Sequence, residues 1–291
     1  MRGLVGRCRF PEAGTAVTCA VSGGADSLAL LVLAAEAGCV VTAVHVDHGL
    51  RDGSATEADV VRDAARRFGA DFRAERVTLT GGPNLEARAR AARRAAIGPG
   101  ALTGHTADDQ AETVLLNLMR GAGLDGLRGI SDDGTKPLLA LRRADTHALC
   151  ADLGLAPVDD PSNIDPTIRR NRVRHELMPL VDAIAQRDVA AVVARQAALL
   201  ADDAAVLDAL AADIDPTDAR ALAAAPPALA RRAVRSWLRC GGEKHPPDAA
   251  TVERVLAVAR GDATACEVGG GRRVARSHGR LRVQPDTVPV R

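Results

Sequence analysis

The residues with the clearest chemical potential form the run Ser22-Gly23-Gly24-Ala25-Asp26-Ser27. It follows the apolar stretch Val17-Thr18-Cys19-Ala20-Val21 and opens the helical pattern of residues 26–36. A strand that turns through glycine into a helix start gathers unpaired backbone N–H groups at the positive end of the helix dipole. Anions bind at such a point, phosphate above all. Gly23 and Gly24 permit positive φ and close backbone approach, and Ser22 and Ser27 add hydroxyl donors. Asp26 is the odd member, because a carboxylate repels phosphate unless a metal ion lies between them. Its plainer reading is a helix cap.

A second set of polar residues, Gly104-His105-Thr106-Ala107-Asp108-Asp109-Gln110-Ala111-Glu112-Thr113, opens another helix. Asp109 and Glu112 are three apart and share a helical face. Thr106 could simply cap that helix while the acids favour its positive end. Carboxylates beside ATP phosphates, however, need Mg²⁺, which takes one or two carboxylates plus phosphate oxygens. With residues 22–27 expected on the same sheet edge, the metal reading leads. A third set, His45-Val46-Asp47-His48-Gly49-Leu50-Arg51, leaves a strand. Its H-x-x-H spacing does not make a zinc site, because a strand end turning into glycine does not hold both rings on one face. His45 is expected to line the nucleotide pocket, and Arg51 offers a guanidinium to phosphate or an RNA backbone. Gly121-Ala122-Gly123-Leu124-Asp125-Gly126 matches G-x-G-x-x-G in letters but follows a helix, so dinucleotide binding is rejected. No Walker-type G-x-x-x-x-G-K-[ST] run is present.

These residues need a scaffold that brings strand ends together. After the first helix, which stops at Gly38, residues 39–46 read as a buried strand. Then follow a helix at 56–68, a strand at 71–77, a helix at 85–96, a short strand at 101–104 and a helix at 107–120. Alternation of this kind indicates an α/β, doubly wound, mostly parallel sheet, whose ligands bind beyond the carboxyl ends of its strands. The character then changes. Residues 180–212, 220–239 (with Pro226-Pro227 opening a second helix) and 251–260 read as helical. Residues 265–268 and 280–283 flank Gly269-Gly270-Gly271 as a hairpin or pair of strands. The expected division is a catalytic domain at 1–185 and a smaller, mostly helical substrate-binding domain at 186–291.

Composition narrows the class. The chain has 291 residues, 47% hydrophobic and 26% charged, with net charge +1. That is the profile of a globular protein of about two domains. Aromatics are only 1%, so bases would not be held by stacking on rings. Lys136 and Lys244 are the only lysines; the remaining positive charge is arginine, suited to bidentate phosphate contacts. Cys8, Cys19, Cys39, Cys150, Cys240 and Cys266 form no C-x-x-C pair, and Cys19 and Cys39 read as buried small hydrophobes. With neither a signal-peptide pattern nor a membrane-length apolar run, the expectation is a cytoplasmic protein without a membrane partner. Arg169, Arg170, Arg172 and Arg174 form one basic patch, and Arg272, Arg273, Arg276, Arg280 and Arg282 another. A charge run is often only a solvated face, but two local patches in a nearly neutral chain fit a locally anionic partner such as RNA.

Taken together these motifs resemble the tRNA(Ile)-lysidine synthase family of PP-loop ATP pyrophosphatases. The resemblance rests on the three runs above, on Arg120-Gly121-Ala122-Gly123, and on Asp160-Pro161-Ser162-Asn163 with Arg170-Asn171-Arg172-Val173-Arg174. Asn84-Leu85-Glu86-Ala87-Arg88-Ala89-Arg90 also fits, although Arg94 stands where an aromatic is usual after Arg93. The resemblance implies adenylation of the C2 oxygen of the wobble cytidine in the CAU anticodon of tRNA(Ile), with release of pyrophosphate. L-lysine then displaces AMP to leave lysidine. It implies that residues 22–27, His45 and Gly104 bind ATP, that Asp26, Asp109 and Glu112 hold Mg²⁺, that His105 contacts phosphate or base, and that Asp26, His105, Asp109 and Arg172 act in catalysis. Longer members carry a third domain for which this chain has no room; a homodimer is compatible with the family. The alternatives are a tRNA 2-thiolation enzyme, which needs reactive or cluster-holding cysteines, and an ATP-binding module without catalysis, which would leave Asp109, Glu112 and the basic patches without a purpose.

Overall fold

A single helical turn, α1 (Arg2–Val5), precedes strand β1 (Ala16–Ala20), which runs through the glycine turn into helix α2 (Ala25–Glu36). The sequence Leu-Ala-Leu-Leu-Val-Leu-Ala at 28–34 has no polar face, and a helix apolar all round must be covered on every side. So it is: Ala25 and residues 27–34 are all buried, leaving Asp26 as the one half-exposed group of that stretch. The computed structural model describes residues 1–47, 54–77, 85–239 and 247–285.

Strand β2 (Val40–Asp47) lies between β1 and β3 (Asp71–Arg76), all parallel, with Ala16 opposite Val40 and Thr42 opposite Asp71. The crossovers carry helices α3 (Ser54–Arg67) and α4 (Leu85–Ile97). The expected strand at 101–104 contracts to one parallel bridge between Leu102 and Cys19 on the free side of β1. Leu102 exchanges both backbone bonds with β1, but the Thr103 N–H goes to the Thr135 carbonyl at 2.8 Å, so the ladder ends there. The chain continues through α5 (Ala107–Met119), α6 (Leu124–Leu127) and α7 (Arg143–Asp152). A 3₁₀ turn (Pro161–Ile164) leads to α8 (Arg169–Arg172), a π-helical turn (Val173–Leu177) and α9 (Met178–Ala185). Leu28, Leu31, Leu33, Val41, Val61, Leu138 and Leu149 belong to one core.

The chain divides into two compact units, Met1–Leu199 and Leu200–Arg291, and the division falls inside α10 (Val189–Ala212). The second unit contains α11 (Ala219–Ala224), α12 (Pro227–Arg239), α13 (Ala249–Arg260) and an antiparallel sheet. The strands are β4 (Ala265–Gly269), β5 (Arg272–Ser277) and β6 (Arg280–Pro285). The two strands expected around the triple glycine are present but are not neighbours, since β5 pairs with both. Its arginines hid the strand: Val274, between Arg273 and Arg276, is fully buried and packs with Leu222, Val255 and Leu281 in the core of this unit.

Candidate active site

The loop between β1 and α2 is shaped by its own side chains. Gly23 adopts φ +96°, in the left-handed region that favours glycine. The Ser27 hydroxyl donates to the Gly24 carbonyl at 2.8 Å and accepts from the Ser22 N–H at 3.1 Å. The Ser22 and Ser27 hydroxyls stand 3.2 Å apart. Ser27 therefore holds the turn closed at the start of α2. Beneath it, buried His45 places Nδ1 3.0 Å from the Val21 carbonyl. A carbonyl can only accept, so Nδ1 carries a proton; Nε2 is buried without a partner.

Gly104 brings the second motif against the first. A Cβ at this position would stand 2.6 Å from the Asp26 carbonyl oxygen, so only glycine permits the approach. His105, next along, has Nδ1 2.9 Å from the Thr103 hydroxyl. Thr106 is fully buried; its N–H and hydroxyl both donate to Asp109 Oδ2, at 2.8 and 3.0 Å, fixing Asp109 in the first turn of α5.

Around these carboxylates lies a set of arginines. Asp109 Oδ1 is 3.3 Å from Arg143 and 3.1 Å from Arg170. Glu112, 1% exposed, accepts from Arg170 Nε and Arg174 Nε, both at 2.7 Å, and from Arg143 at 3.2 Å. Arg143 also stands 3.6 Å from Asp26, which accepts a short hydrogen bond from the buried Thr146 hydroxyl. Beside them Asp108 pairs with both Arg142 Nε and Nη2 and accepts the Arg143 N–H.

The electrostatics separate the acids. Burial pushes the Asp26 carboxyl above its ordinary range, and neighbouring Asp109 adds to the push, while Thr146 and Arg143 oppose it. Burial also works against Asp109, but the Thr106 N–H and the Arg143 and Arg170 guanidiniums outweigh it and hold the group low. Asp108 is held low in the same way by Arg142 and the Arg143 N–H, against its burial.

The structure thus brings together residues 22–27, His45, Gly104, His105, Asp109 and Glu112. It does not bring Arg172 to them. Arg172 points to solvent and pairs with Glu176 across one turn at 2.8 Å, whereas Arg170 and Arg174, four apart, share the face that meets Glu112. Residues 48–51 and Asn84 lie outside the described residues, as does the Arg93 side chain. A cavity of about 170 Å³ opens beside Glu112, walled by Arg143, Arg174, Asp108, Asp182 and Met178.

Residues 7–181 match the model of a PP-loop domain, and residues 218–282 that of a TilS substrate binding domain. The chain is 45% identical to a tRNA(Ile)-lysidine synthase of Nocardia farcinica, over 94% of this chain and 92% of that protein. It is 41% identical to one of Rhodococcus jostii, over 93% and 90%. The chain belongs to the tRNA(Ile)-lysidine synthase family. A solved U34-tRNA thiolase of Methanococcus maripaludis, with its [4Fe-4S] cluster, shares the fold at 17% identity and a TM-score of 0.54, over 68% of this chain and 78% of that one.

For this member of the lysidine synthase family, sequence reasoning passed over Arg143 and Thr146. A signal was present. Arg142-Arg143 opens a helix, where the dipole disfavours cations, so the pair needs carboxylates from elsewhere; α5 supplies them.

Proposed function

We propose that this chain uses ATP to join the ε-amine of L-lysine to C2 of the wobble cytidine in the CAU anticodon of tRNA(Ile), forming lysidine. In the first step the C2 oxygen attacks the α-phosphorus of ATP and the bond to pyrophosphate breaks. In the second the uncharged lysine amine attacks C2, AMP leaves, and the nitrogen loses its proton. Family membership supports the reaction. The observation that carries the site is the contact of Gly104 with Asp26, which sets the 22–27 loop and Asp109 side by side.

In this reading the backbone N–H groups at the start of α2 and the Ser22 hydroxyl bind the phosphates that leave as pyrophosphate. Asp26 and Asp109 fit a magnesium ion: Asp109 lies close enough to push the Asp26 carboxyl up, and a cation between the two carboxylates would relieve that repulsion. Glu112 fits less well, because both its oxygens accept from guanidiniums; it organises Arg170 and Arg174 instead. Asp26 and Asp109 would hold the ion, which would supply charge stabilisation at the α-phosphate during displacement. The buried, unpartnered His45 Nε2 meets a polar group of the nucleotide, and His105 meets the phosphate or the activated base. The cavity beside Glu112 has anionic, cationic and apolar walls, which suits a small amphipathic zwitterion such as lysine. Arg172, facing solvent, is assigned to the tRNA. A tRNA substrate goes with a cytoplasmic enzyme; among the described residues no helix is long and apolar enough to cross a membrane.

Thiolation is the less favoured reading. Burial pushes the Cys19 thiol up to about 12 and those of Cys8 and Cys150 up to about 11, which leaves them poor nucleophiles. The deciding experiment incubates the protein with ATP, labelled lysine and a tRNA(Ile) transcript bearing CAU. Label on that RNA, and not on a methionine tRNA with the same anticodon, is expected. Absence of label, or equal labelling of both, would overturn the proposal.

A further inference from the structure

Asp26, Asp109 and Glu112 meet three guanidiniums, those of Arg143, Arg170 and Arg174, so this group of charges is balanced three against three. The arginines are not equivalent. Arg170 and Arg174 reach Asp109 and Glu112, both on α5. Arg143 reaches these two and also Asp26, on α2, with distances of 3.3, 3.2 and 3.6 Å. Its guanidinium thus reaches both Asp26 and Asp109, the two carboxylates assigned above to a divalent cation.

The geometry points to Arg143 as a built-in counter-cation that holds Asp26 beside Asp109 and Glu112 before nucleotide arrives, and that gives up Asp26 when a divalent cation enters with the ATP phosphates. This rests on the magnesium–ATP reading of the site. Two features make the exchange workable. The longest of the three contacts is the one to Asp26, while the contacts to Glu112 anchor the side chain on α5. The backbone of Arg143 is also fixed, since its N–H donates to Asp108 at 2.7 Å. A divalent ion arriving alone would meet a group already neutral and would have to displace a guanidinium from its carboxylates, leaving that charge uncompensated in a partly buried site. An ion arriving with ATP brings phosphate charge that a displaced guanidinium can face. Metal uptake is therefore tied to nucleotide, and Arg143 is a positioning residue for the carboxylates.

The test uses nucleotide-free full-length protein and Mn²⁺ as the probe, read by the loss of the free-ion electron paramagnetic resonance signal and by thermal unfolding. Wild type is expected to bind Mn²⁺ only weakly at this site until ATP is added. Arg143→Gln is expected to melt lower in EDTA, to bind Mn²⁺ without nucleotide at least about tenfold more tightly than wild type, and to regain part of its melting temperature when the ion is present. Adding Asp26→Asn to that variant should abolish the new binding. Arg143→Lys, which keeps the charge, should fold and remain indifferent to Mn²⁺. Tight Mn²⁺ binding by nucleotide-free wild type would overturn the proposal, and that measurement needs no variant to fold. An Arg143→Gln protein that folds but gains no affinity would also overturn it. None of these readouts involves lysidine formation, so failure here is distinguishable from failure of the proposed reaction.

Discussion

The backbone of Gly104 is pressed against that of Asp26, with room for no Cβ: one would stand 2.6 Å from the Asp26 carbonyl oxygen and 2.8 Å from its carbon. Backbone cannot rotate aside as a side chain can, so Gly104→Ala must move the 104–109 segment away from the α2 start. Overpacking of this kind costs about 1–3 kcal/mol. The expected result is a lower melting temperature together with a larger loss of ATP-dependent pyrophosphate release, because the displaced segment carries Asp109. Gly123→Ala is the control. Gly123 has φ −80° and nothing within reach of a Cβ, and should leave both measurements unchanged.

Glu112 is a buried carboxylate whose oxygens accept from Arg143, Arg170 and Arg174. Glu112→Gln keeps the volume but leaves three guanidiniums around an amide that cannot accept all their bonds. Removing one partner of a buried ion pair costs about 3–5 kcal/mol, and the partial exposure of the arginines argues for the lower end. Urea unfolding should show a loss near about 3 kcal/mol in the midpoint-derived stability. A change within the noise would mean that the arginines find water or other acceptors instead.

Much of this architecture is legible in the residues themselves. The strand-glycine-helix pattern of 17–36 and the Thr106/Asp109 start of α5 are local features, set by chain conformation within a few residues. The long-range pairings are not. Arg143 and Thr146 meet Asp26 from more than a hundred residues away, through packing of α7 that no local pattern encodes. The Arg169–Arg174 patch shows the same limit: composition reveals four arginines, but only the helical phase decides that 170 and 174 turn to Glu112 while 172 turns to solvent. In the second unit the strand β5 was hidden because its arginines read as a charge cluster, with Val274 the one fully buried residue of the strand.

The acids of the site respond to pH in opposite senses. A carboxyl whose folded pKa lies above its unfolded value holds protons better in the folded state. Asp26 therefore subtracts stability as pH rises from its unfolded value through its raised folded one. Asp108 and Asp109, held low, contribute stability above the unfolded carboxyl range that is lost as pH falls through their lowered values. Asp26→Asn should accordingly raise the melting temperature of the nucleotide-free protein at neutral pH. The advantage should vanish below about pH 4, where wild-type Asp26 is protonated both folded and unfolded. The same variant should lose pyrophosphate release by roughly a hundredfold or more, since charge stabilisation at the reacting phosphate is lost with the carboxylate. An Asp26→Asn protein that is more stable and still active would remove Asp26 from the chemistry.

Arg172 and Arg174 are two residues apart and face opposite surroundings, so truncating each should give different signatures. Arg174→Ala removes a guanidinium from buried Glu112 and should lower the melting temperature. Arg172→Ala removes only a solvent-exposed partner of Glu176 and should leave the melting temperature unchanged. If Arg172 meets a tRNA phosphate, its loss weakens RNA binding and reduces the slope of log affinity against log salt by about one. Fluorescence anisotropy with labelled tRNA(Ile) at several KCl concentrations measures that slope. An unchanged slope, combined with an unchanged rate of adenylation, would free Arg172 of any role in the reaction and leave Arg170 and Arg174 as the arginines of this helix that serve the site.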